Sequence, residues 1–133
     1  MRAADTTACP CQSGRPYSGC CAPLHRQDAM AENAEALMRS RYSAYVLAES
    51  AYLLATWHAS TRPSGFDGHD ALSTRWLGLE VKRHVVHDPE HATVEFVARY
   101  RTGGNPAVRL HEVSRFVREA GRWYYLDGEF PAR

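Results

Sequence analysis

"HATVEFVARYR", residues 91–101, alternates with a period of two: Val94, Phe96, Ala98 and Tyr100 fall on one side, Glu95, Val97 and Arg99 on the other. Successive side chains of a pleated chain leave opposite faces, so this spacing predicts a half-buried β-strand. The pattern extends in both directions. Upstream, "WLGLEVKRHVVH" (76–87) sets Leu77, Leu79 and Val81 against Gly78, Glu80 and Lys82. Downstream, "AVRLHEVSRFVRE" (107–119) and "RWYYLDGEF" (122–130) continue it. The joints "HDPE" (87–90), "GGNP" (103–106) and "EAGR" (119–122) are short and turn-rich, with Gly121 free to take a positive φ. Four consecutive strands with short turns predict an antiparallel meander.

Ahead of the strands the period changes. Asn33 is a candidate helix cap and Glu35 in the first turn suits the positive end of the helix dipole. Ala34, Leu37, Met38, Tyr42, Tyr45 and Val46 recur at helical spacing, while Arg39, Arg41 and Glu49 are expected mainly off that apolar face. A second helical piece is expected from about Ser50 to Trp57, with Tyr52, Leu53 and Leu54 inward. "HASTRPSGFDG" (58–68) is a loop, rich in Ser, Gly and Pro. The fold class is α+β, with two or three helices packed on one face of a four-stranded antiparallel sheet.

The 133 residues suffice for one core plus a small appendage. Sixteen basic and fifteen acidic residues give a net charge of +1, which argues against broad attraction to nucleic acid or anionic lipid. No apolar run approaches the roughly 18 residues of a membrane span. "MRAADTTACP" (1–10) lacks the apolar centre of a signal peptide, so the expected location is the cytoplasm, where thiols stay reduced.

All four cysteines lie in "CPCQSGRPYSGCC", residues 9–21. The spacing C-x-C is not the C-x-x-C of a redox pair, and disulfides across the loop would need an oxidising compartment. Four thiolates in a short loop suit a tetrahedral soft-ligand metal site made by Cys9, Cys11, Cys20 and Cys21. Ser13-Gly14 offers a turn, Pro16 stiffens the return and Gly19 lets the backbone approach Cys20. Turn-oriented backbone N–H groups are expected to donate to the sulfurs. The expected cofactor is zinc, with ferrous iron also compatible with four thiolates. A site closed by four cysteines keeps no position for water or substrate, so its expected role is structural or docking.

The pattern formed by Cys9, Pro10, Cys11, Ser13, Gly14, Tyr17, Cys20 and Cys21 resembles the SEC-C motif, the metal-binding module at the C-terminus of the protein-export ATPase SecA. Two positions depart from it. SecA usually has His at the place of Cys21, and the widespread form has Lys where this chain has Arg15 and Pro16. The resemblance implies an interaction element that docks on a chaperone or on ribosomes. Arg15 and Tyr17, between the ligand pairs, are the expected partner contacts; Tyr17 alternatively only covers the metal site.

A wider resemblance covers the chain from about Cys9 to Gly128. "AEALMRSRYSAYVLAESAYLLATWHASTRP", "WLGLEV", "TVEFVARYR" and "LHEVSRFVREAGRWYYLDG" together are similar to the YchJ-like family of small bacterial proteins. That resemblance implies a SEC-C-type metal module over residues 1–25 and a nuclear-transport-factor-two-like domain over 26–133, a cone of helices cupped by a curved sheet. Some members carry a second SEC-C motif after the sheet; none is expected at "EFPAR", so bridging through two modules is not expected. A homodimer through the outer face of the sheet is a further assembly the resemblance implies.

Cones of this type often enclose a pocket, and some act as isomerases or dehydratases. Candidate pocket residues are Tyr42, Tyr45, Trp57, His58, Trp76, Arg99, Tyr100, His111, Glu112, Trp123 and Tyr125. Parity puts His111 on the face opposite Leu110 and Glu112. "RSRY" (39–42) either holds an anion at the cone rim or solvates an outer face. No phosphate loop, nucleophile elbow or H-E-x-x-H occurs, and no catalytic residue is assigned. The expected function is therefore a cytoplasmic zinc-binding adaptor on a protein or ribosomal surface, without sequence-specific nucleic-acid readout and without a membrane. Its rivals are a small-molecule binding protein or enzyme that uses the cone, and a metal or redox sensor built on the cysteines.

Overall fold

The computed structural model describes residues 7–65 and 74–131. A 3-10 turn (Tyr17–Gly19) leads into α1 (Ala22–His25), α2 (Ala34–Leu47) and α3 (Ser50–Ala55). The strands follow: β1 (Thr74–Asp88), β2 (His91–Thr102), β3 (Val108–Glu119) and β4 (Arg122–Glu129). They form one antiparallel sheet in the order β1-β2-β3-β4, the meander expected from the period-two spacing. The short helix α1 lies inside "APLHRQDAMAE", which composition presents as a polar linker.

Helix α2 starts where Asn33, in extended conformation, accepts a hydrogen bond on Oδ1 from the Ala36 N–H at 2.7 Å. It ends at Ala48, which takes the left-handed conformation (φ 59°), and the Glu49 N–H folds back onto the Ala44 carbonyl. Leu37, Met38 and Tyr42 of α2 and Tyr52 and Leu53 of α3 pack against Leu79, Val94, Phe96, Ala98, Phe116 and Trp123 of the sheet. Leu37 and Phe116 are each 2% exposed, and burying such side chains contributes roughly 1.5–3 kcal/mol apiece. The β3–β4 hairpin closes through Ala120 and Gly121, both at positive φ (52° and 78°), a turn whose twist matches the strands.

Two expectations need correction. Leu77 does not join Leu79 and Val81 on the inner face; it is 42% exposed. A register shift between Trp76 and Gly78 inserts an extra residue, so Trp76 goes inward and Leu77 outward. Arg41 is buried, at 5% exposure, not on the outside of α2.

After α3 the chain pairs with the sheet. The Tyr125 N–H donates to the Thr56 carbonyl and the His58 N–H to the Tyr125 carbonyl, both at 2.8 Å, in a parallel bridge between Trp57 and Tyr125. This clip closes one end of the cone, between the helices and β4. No described helix is long and apolar enough to cross a membrane.

Candidate metal centre and cone cavity

The cysteine loop is a small hairpin. The Cys9 N–H reaches the Arg15 carbonyl at 3.0 Å, the Tyr17 N–H reaches the Thr7 carbonyl at 2.8 Å, and Gln12 and Gly14 turn the chain at positive φ (63° and 89°). Cys20 and Cys21 arrive by the 3-10 turn, whose Tyr17 carbonyl accepts the Cys20 N–H. The four Sγ atoms converge within 4.8 Å of one another, and all four cysteines are free thiols. Cys11 and Cys20 stand 3.6 Å apart and Cys20 and Cys21 3.9 Å. A tetrahedral centre with metal–sulfur bonds of about 2.3 Å needs sulfur spacings of roughly 3.8 Å, so the donor set fits such an ion.

Two hydroxyls address the sulfurs. Ser13 Oγ lies 3.1 Å from Cys20 Sγ, and Ser43 Oγ, on α2, lies 3.3 Å from Cys21 Sγ and 3.5 Å from Cys9 Sγ. The thiols also act on each other. Hydrogen bonding from Cys11, then from Cys21, pulls the Cys9 thiol far below its ordinary value, with the Cys11 backbone N–H adding to it. The same contacts, with burial, push Cys21 far up. Cys9 thus gives up its proton more readily than Cys21. The cluster can hold a metal ion.

The loop is fastened to the helices. Arg39 donates from Nη1 to the Cys11 carbonyl at 2.9 Å and from Nε to Glu35 at 3.1 Å. His25 Nε2 is 2.8 Å from the Ser40 carbonyl, which only accepts, so Nε2 carries the proton. In the neutral ring Nδ1 then accepts from the Tyr17 hydroxyl at 2.7 Å. Tyr17 is half-buried in this contact, and Arg15 is exposed beside it.

Inside the cone lies a cavity of about 500 Å³. Tyr42, Tyr45, Trp57, Trp76 and Glu112 line it, together with Tyr100 and Tyr125. The aromatics surround the space without filling it. Four other candidates sit elsewhere. His58 turns away to Ser60 (2.7 Å) and Glu119 (2.8 Å). His111 pairs with Glu95 on the outer face at 2.7 Å, Arg99 is exposed, and Trp123 is packed in the core away from the cavity wall.

Sequence reasoning places Arg41 only beside Arg39 at the cone rim or on a solvated outer face, whereas it is buried in the cavity wall. Its Nη1 donates to the Leu53 carbonyl (2.8 Å) and Thr56 Oγ1 (2.7 Å), and its guanidinium carbon lies 5.1 Å from the Trp57 ring centre and 4.7 Å from that of Tyr125. A signal was present: Leu37, Arg41 and Tyr45 are spaced by four and share a helix face. Across the cavity Glu112, also buried, accepts on Oε2 from Ser114 (2.8 Å) and from the Tyr125 hydroxyl (3.0 Å). Burial, and then the Glu112 charge, hold the Tyr125 hydroxyl protonated well above the ordinary tyrosine range. Gly128 makes room for this carboxylate, since a Cβ there would collide with Glu112 Oε2.

Comparison with known proteins agrees with this architecture. Residues 33–128 match the family model described as the YchJ middle NTF2-like domain. A UPF0225 protein of Ralstonia nicotianae is 57% identical, over 95% of this chain and 93% of its own length. One from Xanthomonas oryzae pv. oryzae is also 57% identical, over 89% and 92%. The solution structure of a SEC-C motif containing protein from Rhodopseudomonas palustris superposes with a TM-score of 0.82 at 38% identity, covering 93% of this chain and 98% of that one. A crystal structure of a SEC-C motif containing protein from Psychrobacter arcticus gives 0.81 at 31% identity, covering 98% and 86%. With its cysteine cluster beside a helix-backed meander, the chain belongs to the YchJ-like UPF0225 family of bacterial proteins.

Proposed function

We propose that this protein is a zinc-stabilised cytoplasmic adaptor that docks on a protein or ribosomal partner through the exposed surface of its metal loop. The observation that carries this reading is the closed donor set: four cysteine sulfurs within 4.8 Å leave no position for a reacting molecule. The ion then serves to hold a surface loop in shape. Arg15 is exposed on that loop, next to the edge of Tyr17, and supplies a cation for contact. Four cysteines free of disulfides support a cytoplasmic location.

A second cationic feature supports a ribosomal surface as the partner. On the outer face of the sheet Arg75 stands opposite Arg101 and Arg99 opposite Arg109, all four exposed. Among the described residues none has a carboxylate within 4.0 Å. Like charges directly opposite each other weaken a sheet, whereas phosphates would satisfy them.

Two measurements test the proposal. Elemental analysis of purified protein should find one zinc per chain; iron instead would change the cofactor but not the docking role. Ribosome co-sedimentation and partner pull-down should then be compared between wild type and an Arg15→Ala/Tyr17→Ala variant, with Arg15→Ala alone as the variant that leaves the Tyr17–His25 contact intact. Identical partner sets, with metal retained in every sample, would remove the docking reading.

A further inference from the structure

The cavity holds two ionic groups that a docking loop does not use. Arg41 and Glu112 are 5% and 8% exposed, yet no described carboxylate lies within 4.0 Å of Arg41. They stand within about one tyrosine side chain of each other: the Arg41 guanidinium rests on the Tyr125 ring, and the Tyr125 hydroxyl donates to Glu112 Oε2. The hydrogen bonds from Ser114 and Tyr125 both fall on Oε2, and Glu112 lines the cavity. Burying two ions is costly, and apolar residues of similar volume would serve stability as well or better. Tying α2 to the end of α3 accounts for Nη1 of Arg41. It does not account for Glu112, nor for the space left open between them.

The walls narrow the ligand class. Trp76 sits 5.6, 5.7 and 5.3 Å from the ring centres of Tyr42, Tyr45 and Tyr100. Tyr125 sits 5.1 Å from Trp57 and 5.8 Å from Phe116. Two aromatic clusters facing one cavity suit a flat ring. Charge decides the rest. One cation and one anion already cancel, so a charged ligand would leave a net buried charge, whereas a neutral one leaves none. A neutral group that offers both a carbonyl and an N–H satisfies the guanidinium and the carboxylate together.

We propose that the cone cavity binds a small, neutral, planar molecule with an amide-type edge, its carbonyl directed to Arg41 and its N–H to Glu112, its ring held by the aromatic walls. Arg41 and Glu112 are then specificity-determining residues, and their balance of charge selects against acids and amines of the same shape.

The test uses the full metal-loaded chain and three size-matched probes: benzamide, benzoate and benzylamine. Binding is read from the indole N–H resonances, because Trp57 and Trp76 line the cavity while Trp123 does not and serves as the internal control. Benzamide should move the Trp57 and Trp76 signals, leave Trp123 in place, and bind at least about tenfold more tightly than either ion. Glu112→Gln keeps the shape and makes the cavity cationic, so the order should change to favour benzoate. Arg41→Met makes it anionic and should favour benzylamine. The proposal is overturned if no probe moves the two cavity indoles, if either ion matches benzamide on wild type, or if the order survives the Glu112→Gln exchange.

Discussion

Ser43→Ala should weaken metal binding without weakening the fold. Ser43 is fully buried in the middle of α2, and its hydroxyl sits 3.3 Å from Cys21 Sγ and 3.5 Å from Cys9 Sγ. A hydroxyl has one proton, so only one of these contacts is a donated hydrogen bond at a time. When the metal is bound both sulfurs are thiolates, and a hydrogen bond to a charged group is worth about 1.5–3 kcal/mol. Loss of that bond corresponds to roughly a 10- to 100-fold fall in affinity, the scale expected when a partner of a metal ligand is removed. Alanine is the better helix former by a few tenths of a kcal/mol, about 0.5 at most, and leaves no unpaired polar atom, so α2 should persist. The assay is a chelator competition with zinc, run beside circular dichroism. Ser40→Ala is the matched control: it is equally buried on the same helix, but its hydroxyl meets the Leu37 carbonyl and the Tyr52 hydroxyl, not sulfur. The reasoning fails if Ser43→Ala binds zinc within about twofold of wild type, or if Ser40→Ala loses as much affinity.

Removing the metal with a strong chelator should free the amides of residues 9–21 to exchange with solvent while those of β2 and β3 stay protected, because the buried cluster of the loop is made of the metal-ligating cysteines themselves, with Tyr17 packed against it. Hydrogen exchange reads this, and an unchanged loop would contradict it. Gly128→Ala drives a Cβ into Glu112 and should cost about 1–3 kcal/mol in urea unfolding. Adding Glu112→Ala should then recover part of that loss, whereas strictly additive effects would rule out the clash. Burial raises the pKa of Tyr42, Tyr45, Tyr52 and Tyr125, so the folded state holds their protons more tightly than the unfolded chain. Their contribution is complete below the unfolded value of about 10 and is lost as pH rises through the folded values. Tyrosinate absorbance should therefore rise in two steps, the later one coinciding with loss of the dichroism signal. A single step near pH 10 with the fold intact would refute this.

The order of elements was legible because each rests on local physics. Asn33 and the spacing of Leu37, Met38 and Tyr42 are enough for α2, and Gly121 with two alternating flanks is enough for the last hairpin. The cysteine cluster was legible for the same reason: the two cysteine pairs flank a short stretch with turn residues, which folds back and brings the thiols together. Where the local rule broke, a tertiary choice overrode it. Leu77 has the parity of a core residue, but the extra residue inserted beside Gly78 turns it outward, and simple alternation does not count such an insertion. Arg41 has the helical phase of a core residue and the chemistry of a surface one, and the phase prevailed because Leu53, Thr56, Trp57 and Tyr125 receive it.

The sequence by itself therefore determined a helix-backed antiparallel meander and a four-thiol metal loop, since periodicity, caps and ligand spacing act over a few residues. Only the tertiary structure decided that Ser43 faces the sulfurs, that Tyr17 is engaged by His25, and that Arg41 and Glu112 share one cavity while His58, Arg99 and His111 do not. Those pairings join residues from 8 to more than 70 positions apart, and which side chains meet there depends on how the helices seat on the sheet, a sum over the whole core that no short window contains.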